Sequence, residues 1–409
     1  SSKLFRDFCD EKLINRLPHE YIQGKVADID HVEDTNDSEN DCDQCHDRPF
    51  RVTIDNENGK EGEARLAITA KAVILAMGAI GTPIVPRSLQ SLPPSKLCHW
   101  QHLKQKPCQN KNGSILVVGG GLTAVQTAQY ALRKYPKAKR VVLCSRRPIT
   151  EKNFDVSENW FDFRSANRLI GDFYHRPVDE RLQILKQARG GGSVPSAYMD
   201  DIRDRQNKNP DQFICIDGDI VLNNDSEEEK KDCCADRCAE SERISIAIVQ
   251  RERKGAEVSS CHGAEKQRQN RRQEFEFDSV WSACGIQPDC SASPLIRNLL
   301  KRWPIETMGG FPCVSEDLEW SPLQCPNLLV VGSLSSLNTG PDAANLMGIR
   351  RSAAIVANSL DCRSWLRNED DLKNDSLAGG GVLINPFKHL DWEDDTDDES
   401  STCSSCEGL

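Results

Sequence analysis

No stretch of the 409-residue sequence approaches the roughly 18 consecutive apolar residues that cross a bilayer. The best run, residues 72–85, is interrupted by glycine and proline, so no membrane span is expected. Apolar side chains are scarce overall, at 38% of the chain, too few for the cores that such a length could build. Positive charge is also short, with a net of -11. Residues 361–409 hold 13 Asp and Glu against 4 Lys and Arg, so the negative charge is mostly a tail and the body is near neutral. Such a chain repels phosphate backbones, which excludes a nucleic-acid partner. No internal repeat of fixed period is visible.

The 18 cysteines do not amount to a framework. Many stand singly in apolar strands, as Cys144 and Cys284 do, where a thiol behaves as a small hydrophobe. A secreted disulfide scaffold would be shorter and denser in cysteine, so an intracellular, cytoplasmic protein is expected. Cys42, Cys45 and His46 match a haem-attachment spacing, and Cys403 with Cys406 repeats the C-x-x-C form, but both lie in acidic low-complexity sequence without an apolar pocket. Cys233, Cys234, Cys238, Cys261 and His262 fit no standard zinc spacing, so no metal is expected. A redox-active pair would need to start a helix, and these pairs sit in polar inserts instead.

Four polar segments, residues 30–47, 223–243, 251–273 and 369–409, bury too little apolar area to offset their ordering entropy and are expected to be disordered. The first three separate strand-like runs, 21–29 from 50–54, 213–222 from 244–249, and 244–249 from 274–277, and so read as swollen hairpin loops. The remainder alternates strand and helix. Residues 114–118 form a strand, 122–134 a helix with Leu122, Val125, Ala128 and Leu132 on one face, and 140–144 a second strand. Strands are also expected at 72–76, 280–283 and 328–331, and a helix over about 341–360. This is an α/β pattern with parallel sheets.

The strongest chemical signal is ILVVGGGLTA at 115–124, a G-x-G-x-x-A loop between strand and helix. Gly119 suits the tight turn, Gly121 leaves room for a pyrophosphate, and Ala124 lets the helix pack closely. Gly120, Leu122 and Thr123 complete the loop, whose helix start offers free N–H groups and a positive dipole to phosphate. Where an NAD site would place a carboxylate, the chain has Ser145, Arg146 and Arg147. Guanidinium groups pair with a 2′-phosphate, so NADPH is expected rather than NADH.

Two further segments share one form, a buried strand ending in a small residue and glycine with a proline beyond: AVILAMGAIGTP at 72–83 and VWSACGIQP at 280–288. With them the chain resembles the two-dinucleotide-domain flavoproteins, and more narrowly the FAD- and NADPH-dependent ornithine and lysine N-monooxygenases. That resemblance implies a Rossmann-like α/β fold in which an NADPH domain, residues 113–273, is inserted into an FAD domain made of 1–112 and 274–362, followed by an acidic tail, 363–409. It marks Ala76, Gly78 and Gly285 at the crossings, and Gly332, Ser333, Pro341 and Asp342 at the last FAD-contacting strand and helix, as cofactor-binding. Pro341 would open that helix and aim its dipole at the flavin. The activity implied is hydride transfer from NADPH to FAD, and then oxygenation of a nucleophilic, amine-like small molecule with O2.

The sequence departs from the family at three places. No strand with a G-x-G-x-x-G loop precedes Tyr21, and the chain has no initial Met, so that FAD loop is read as missing from a fragment. Ser333 stands where many relatives have Asp. The box DSVWSACGI at 278–286 keeps its Asp, Ala and Gly but not the Leu, Thr and Tyr of the N-hydroxylases. A non-catalytic FAD/NADP-binding regulatory protein, or an NADPH-driven flavin reductase, is therefore kept as an alternative. No side chain identifies itself as acid, base or nucleophile. His99 reads as a structural histidine of the linker, and the aromatic stretch 153–199, with Trp160, Tyr174, His175 and the glycines 190–192, reads as core or as the wall of a cleft.

Overall fold

A computed structural model describes residues 2–13, 22–32, 48–55, 66–105, 110–188, 190–223, 243–250 and 272–361. The larger body is built on a five-stranded parallel sheet in the order Phe213–Asp217, Arg140–Ser145, Ser114–Val118, Ser279–Ser282, Leu97–His99. Its centre is Ser114–Val118, five consecutive buried residues, as a strand covered on both faces requires. On one face the helix Leu122–Lys134 lays Val125, Ala128 and Ala131 against Ile115, Val117 and Leu143. On the other lies an antiparallel sheet of Asp219–Leu222, Ile244–Val249 and Arg272–Phe277, which buries Ile246, Ile248 and Phe277 against Leu116, Val142 and Val280. Each large aliphatic side chain buried there contributes about 1.5–3 kcal/mol.

The smaller body holds the strand Cys325–Val330 between Val73–Leu75, parallel to it, and Glu319–Ser321, antiparallel. The helix Leu346–Asp361 packs Val356 near Leu318, Leu329 and Val331. The helix Pro294–Arg302 and an antiparallel meander, Lys25–His31 with Phe50–Asp55 and Leu66–Ala70, close the opposite side around Ile29, Phe50, Trp320 and Leu328. Arg302 joins helix to meander through a two-pronged pair with Asp28, at 3.0 and 2.9 Å. The two bodies meet where the chain crosses between them: Gly81–Pro83 pairs antiparallel with Ile286–Pro288. A helical hairpin, Phe163–Tyr174 and Val178–Ala188, packs on the smaller body, with Trp160, Phe173 and Leu185 against Leu337.

The α/β reading with parallel strands is what the structure has, and the strands flanking each polar insert do pair antiparallel. At their edges the inserts are strand, Asp30 and His31 ending Lys25–His31 and Arg272 and Gln273 opening Arg272–Phe277, while the rest of their expected disorder, the C-x-x-C pairs and the acidic tail lie outside the described residues. Two expectations are corrected. The run 213–222 is two strands in two sheets, because at Gly218 the chain turns off the parallel sheet, its N–H bonding Ser145 O at 2.8 Å. The last helix starts at Leu346 and not at Pro341. Residues 340–345 form turns instead, fastened by the fully buried Asp342, whose carboxylate takes both arms of Arg351 at 2.9 and 3.1 Å. Leu97–His99 and Ser279–Ser282, which precede and follow residues 113–273 in the chain, are strands of the same parallel sheet.

Candidate functional site

A cleft of about 1410 Å³ opens at the carboxyl ends of the central strands, where open parallel sheets take their ligands. One wall is the glycine loop, Gly120 to Thr123, with the following turn Ser145 to Pro148. The facing walls are Thr150 and Lys152 to Asp155, Gly190 to Ser193, the crossing residues Ala283 to Gly285, and the start of the last helix, Ala344 to Met347 with Ile349.

The loop is shaped as its sequence demands. Gly119 bonds Cys144 O through its N–H at 2.9 Å and holds φ at +154°, and a Cβ there would collide with Ala283 O. Gly121 caps the helix with extended backbone and no side-chain cap, so the helix start faces the cleft unfilled. Ala124 is fully buried and puts its methyl group beside Gly119. Ser145 is buried and donates its hydroxyl to Arg147 O at 2.6 Å, which bends the turn. Arg146 and Arg147 are exposed, line the cleft and make no salt bridge among the described residues. Lys152 adds a third cation to this end.

The other expected residues divide. Gly285 belongs to the cleft, and its carbonyl accepts from Ile84 N–H at 3.1 Å and from His99 Nε2 at 3.2 Å. His99 is therefore a buried member of the sheet edge, in the tautomer with its proton on Nε2. Burial pushes its basicity below the ordinary imidazole value, against the opposing effect of the Gly285 bond. Ala76 and Gly78 are exposed just past Val73–Leu75, and Gly332 and Ser333 are buried just past Cys325–Val330. These four stand together at the ends of the two parallel strands of the smaller body, outside the cleft wall. Gly332 N–H bonds Ser352 Oγ at 3.2 Å, which ties this end to the last helix. Pro341 and Asp342 are buried beneath the cleft's last wall, and the Asp342 carboxylate is occupied by Arg351.

Sequence reasoning missed part of the wall. Phe154 and Phe161 line the cleft, whereas Trp160 and Phe173 of the same aromatic stretch are core. Asn153, Asp155, Glu158 and Asp162 also face it, and no spacing rule singles them out. Cys284 lines the cleft with its thiol 3.4 Å from Val118 O, and burial pushes its pKa up, so it stays protonated. Asp278, the acid of the 278–286 box, is used structurally: its carboxylate accepts from Ser114 N–H at 2.7 Å and from Asn110 at 2.9 Å. Trp281 fills the core against Tyr130 and Tyr135. Among the described residues no cluster of His, Cys, Asp and Glu could hold a metal, and no helix is long and apolar enough to cross a membrane.

Residues 19–205 match the family model described as L-lysine 6-monooxygenase/L-ornithine 5-monooxygenase. The chain resembles the ornithine and lysine N-monooxygenases. Among solved structures, an ornithine N-hydroxylase of Kutzneria sp. 744, with reduced FAD, NADP+ and L-ornithine, superposes at a TM-score of 0.59 and 13% identity, covering 88% of this chain and 77% of that one. The FAD-bound cadaverine monooxygenase DfoA of Erwinia amylovora gives 0.56 and 15% identity, over 88% and 73%. The ornithine hydroxylase PvdA of Pseudomonas aeruginosa gives 0.56 and 15%, over 88% and 75%. At such identities the likeness is one of fold, the two-nucleotide flavoprotein fold that the boxes imply. No curated protein sequence matches the chain.

Proposed function

We propose that this chain is an FAD- and NADPH-dependent flavoprotein oxidoreductase, a monooxygenase that acts with O2 on an amine-like small molecule in the cytoplasm. The observation that carries this reading is one cleft in which an intact dinucleotide loop, an unpaired Arg146–Arg147 turn, the crossing box at Gly285 and the start of the last helix face each other. The free thiols of the described cysteines fit a reducing compartment.

The residues fit NADPH. Gly120 to Thr123 bring backbone to the cleft surface, the start of helix Leu122–Lys134 offers donors to a pyrophosphate there, and Arg146 and Arg147 supply the charge for a 2′-phosphate. For FAD the fit covers one end of the molecule. Ala76, Gly78, Gly332 and Ser333 stand at the carboxyl ends of parallel strands, as a flavin site requires, but the described residues include no second glycine loop for its pyrophosphate. When bound, the flavin accepts hydride from NADPH and activates oxygen. The chain's own residues hold the nicotinamide nucleotide by its phosphates, keep the crossing wall in place through Gly285, and narrow the cleft with Phe154, Phe161 and Met347. Ser333, buried with its carbonyl accepting from Ser336, offers a neutral hydroxyl where a carboxylate would carry charge.

The test is anaerobic and then aerobic mixing of the FAD-loaded protein with NADPH, with and without diamines and amino acids bearing a side-chain amine. Flavin bleaching followed by oxygen uptake coupled to a hydroxylated amine is expected. Bleaching without coupled product reassigns the protein as a reductase, and absence of bleaching overturns both enzyme readings in favour of a nucleotide-binding regulatory role.

A further inference from the structure

The three glycines 190–192 have no part in the loop motif, yet they reach it. A Cβ on Gly121 would stand 3.1 Å from the Cα of Gly192, and one on Gly192 would stand 2.5 Å from the Cα and 2.9 Å from the nitrogen of Gly121. The obstructing atoms are backbone on both sides and cannot swing away. Gly121 is the cap of helix Leu122–Lys134, so this segment lies against the place where that helix presents its first N–H groups.

The approach is built, not loose. Directly after the glycines, Ser193–Val194 pairs in parallel with Thr150–Glu151, Val194 is fully buried, and Lys152 N–H bonds Val194 O at 3.0 Å. Pro195 then caps the helix Ser196–Lys208. The glycines are thereby fastened to the same stretch of chain that carries Arg146 and Arg147. Gly191 holds φ at +101° with open space around its Cα, and all three glycines line the cleft.

We infer that Gly190–Gly192 is the second wall of the dinucleotide seat, with Gly192 a binding-site glycine and the pyrophosphate of NADP(H) the group it faces. The inference rests on the NADPH reading above and adds a wall which that reading does not contain. A main-chain wall is blind to the 2′-phosphate. Changes at 191 and 192 therefore weaken NADP+ and NAD+ alike, whereas changes at Arg146 and Arg147 separate the two.

The experiment is calorimetric titration of the full chain with NADP+, NAD+ and adenosine 2′-monophosphate. The last carries the 2′-phosphate but no pyrophosphate, and so reports on the arginine end alone. G192A is expected to weaken NADP+ and NAD+ by tenfold or more and to leave the monophosphate unchanged. Unchanged dinucleotide affinity, or parallel loss of all three ligands, overturns the inference. A second pair avoids packing altogether: Gly191→Asn and Gly191→Asp are isosteric, both residue types tolerate positive φ better than most, and they differ by one negative charge on the wall. Gly191→Asp should bind both dinucleotides about tenfold more weakly than Gly191→Asn, and equal affinities overturn the inference. If the unaltered chain binds no NADP+, the NADPH reading itself falls.

Discussion

The two bodies of this protein share one kind of architecture, carboxyl ends of parallel strands brought to a common edge, but assemble it differently. In the larger one the loop, its helix and the Arg146–Arg147 turn come from one continuous stretch, with the hydrogen bond from Gly119 to Cys144 joining its two strands. In the smaller one the two strand ends, Leu75 with Ala76 and Val330 with Gly332, are distant in sequence and are brought together by pairing alone. Its integrity hangs on polar fastenings: Asp342 with Arg351 at short range, Gly332 with Ser352, and across the chain Arg302 with Asp28. A site built from contiguous chain is defined by glycine geometry, and one built from distant chain is defined by buried polar pairs.

That contrast can be broken from either side. The largest effect is expected from Arg351→Met, which strands the buried Asp342 carboxylate and should cost about 3–5 kcal/mol. Denaturant unfolding followed at the tryptophans measures it, and pairing it with Asp342→Asn should restore much of the loss. NADP+ affinity at temperatures where the variant is folded should fall much less than stability, because the glycine loop and the Arg146–Arg147 turn are untouched and only the wall at 344–347 is loosened. Next comes Gly119→Val, which combines a disfavoured backbone angle with a collision at Ala283 O, for roughly 2–4 kcal/mol. Here NADP+ binding should be lost first, and a variant that still binds it would refute the geometry given to the loop. Replacing Arg146 and Arg147 together with Ala should weaken NADPH by one to two orders of magnitude, about 1.5–3 kcal/mol, through lost charge-assisted bonds, and leave NADH nearly unchanged. Equal losses for both would show that the turn does not read the 2′-phosphate.

The smallest effect concerns pH. Because burial lowers the His99 pKa in the folded protein, the unfolded chain takes up its proton first as pH falls. The histidine's contribution is therefore complete above its unfolded value near 6.5 and declines as pH drops through the folded one. His99→Gln, whose amide can still donate to Gly285 O, should flatten this part of the pH–stability profile. An unaltered profile would show that His99 does not titrate in this way.

Legibility followed the same division. Ser114–Val118 and Leu122–Lys134 are read to the residue, since one is a continuous apolar run and the other has a helical period with a glycine cap in front. Leu97–His99 was not legible as a strand, being three residues long with a histidine in it. The break at Gly218 is marked by the polar Asp217, Gly218 and Asp219 between two apolar halves, but only the partner strands show that the halves belong to different sheets. The helix start was misplaced because Pro341 and Asp342 look like an opening turn until Arg351 claims the carboxylate. The contact of Gly192 with Gly121 leaves no mark in either local segment beyond the glycines themselves.

The crossing between the bodies has a mechanical consequence. Two strands, Gly81–Pro83 and Ile286–Pro288, run antiparallel side by side, and their ends are stitched by Ile84 N–H to Gly285 O, Ser282 Oγ to Ile84 O and Asp289 N–H to Ile80 O. A single strand would swivel, but a stitched ribbon resists twisting and shear and yields most easily by bending across its flat face. At this crossing the ribbon thereby favours bending across its flat face over swivelling, so that a swing of one body against the other would return the same pair of surfaces to the same alignment.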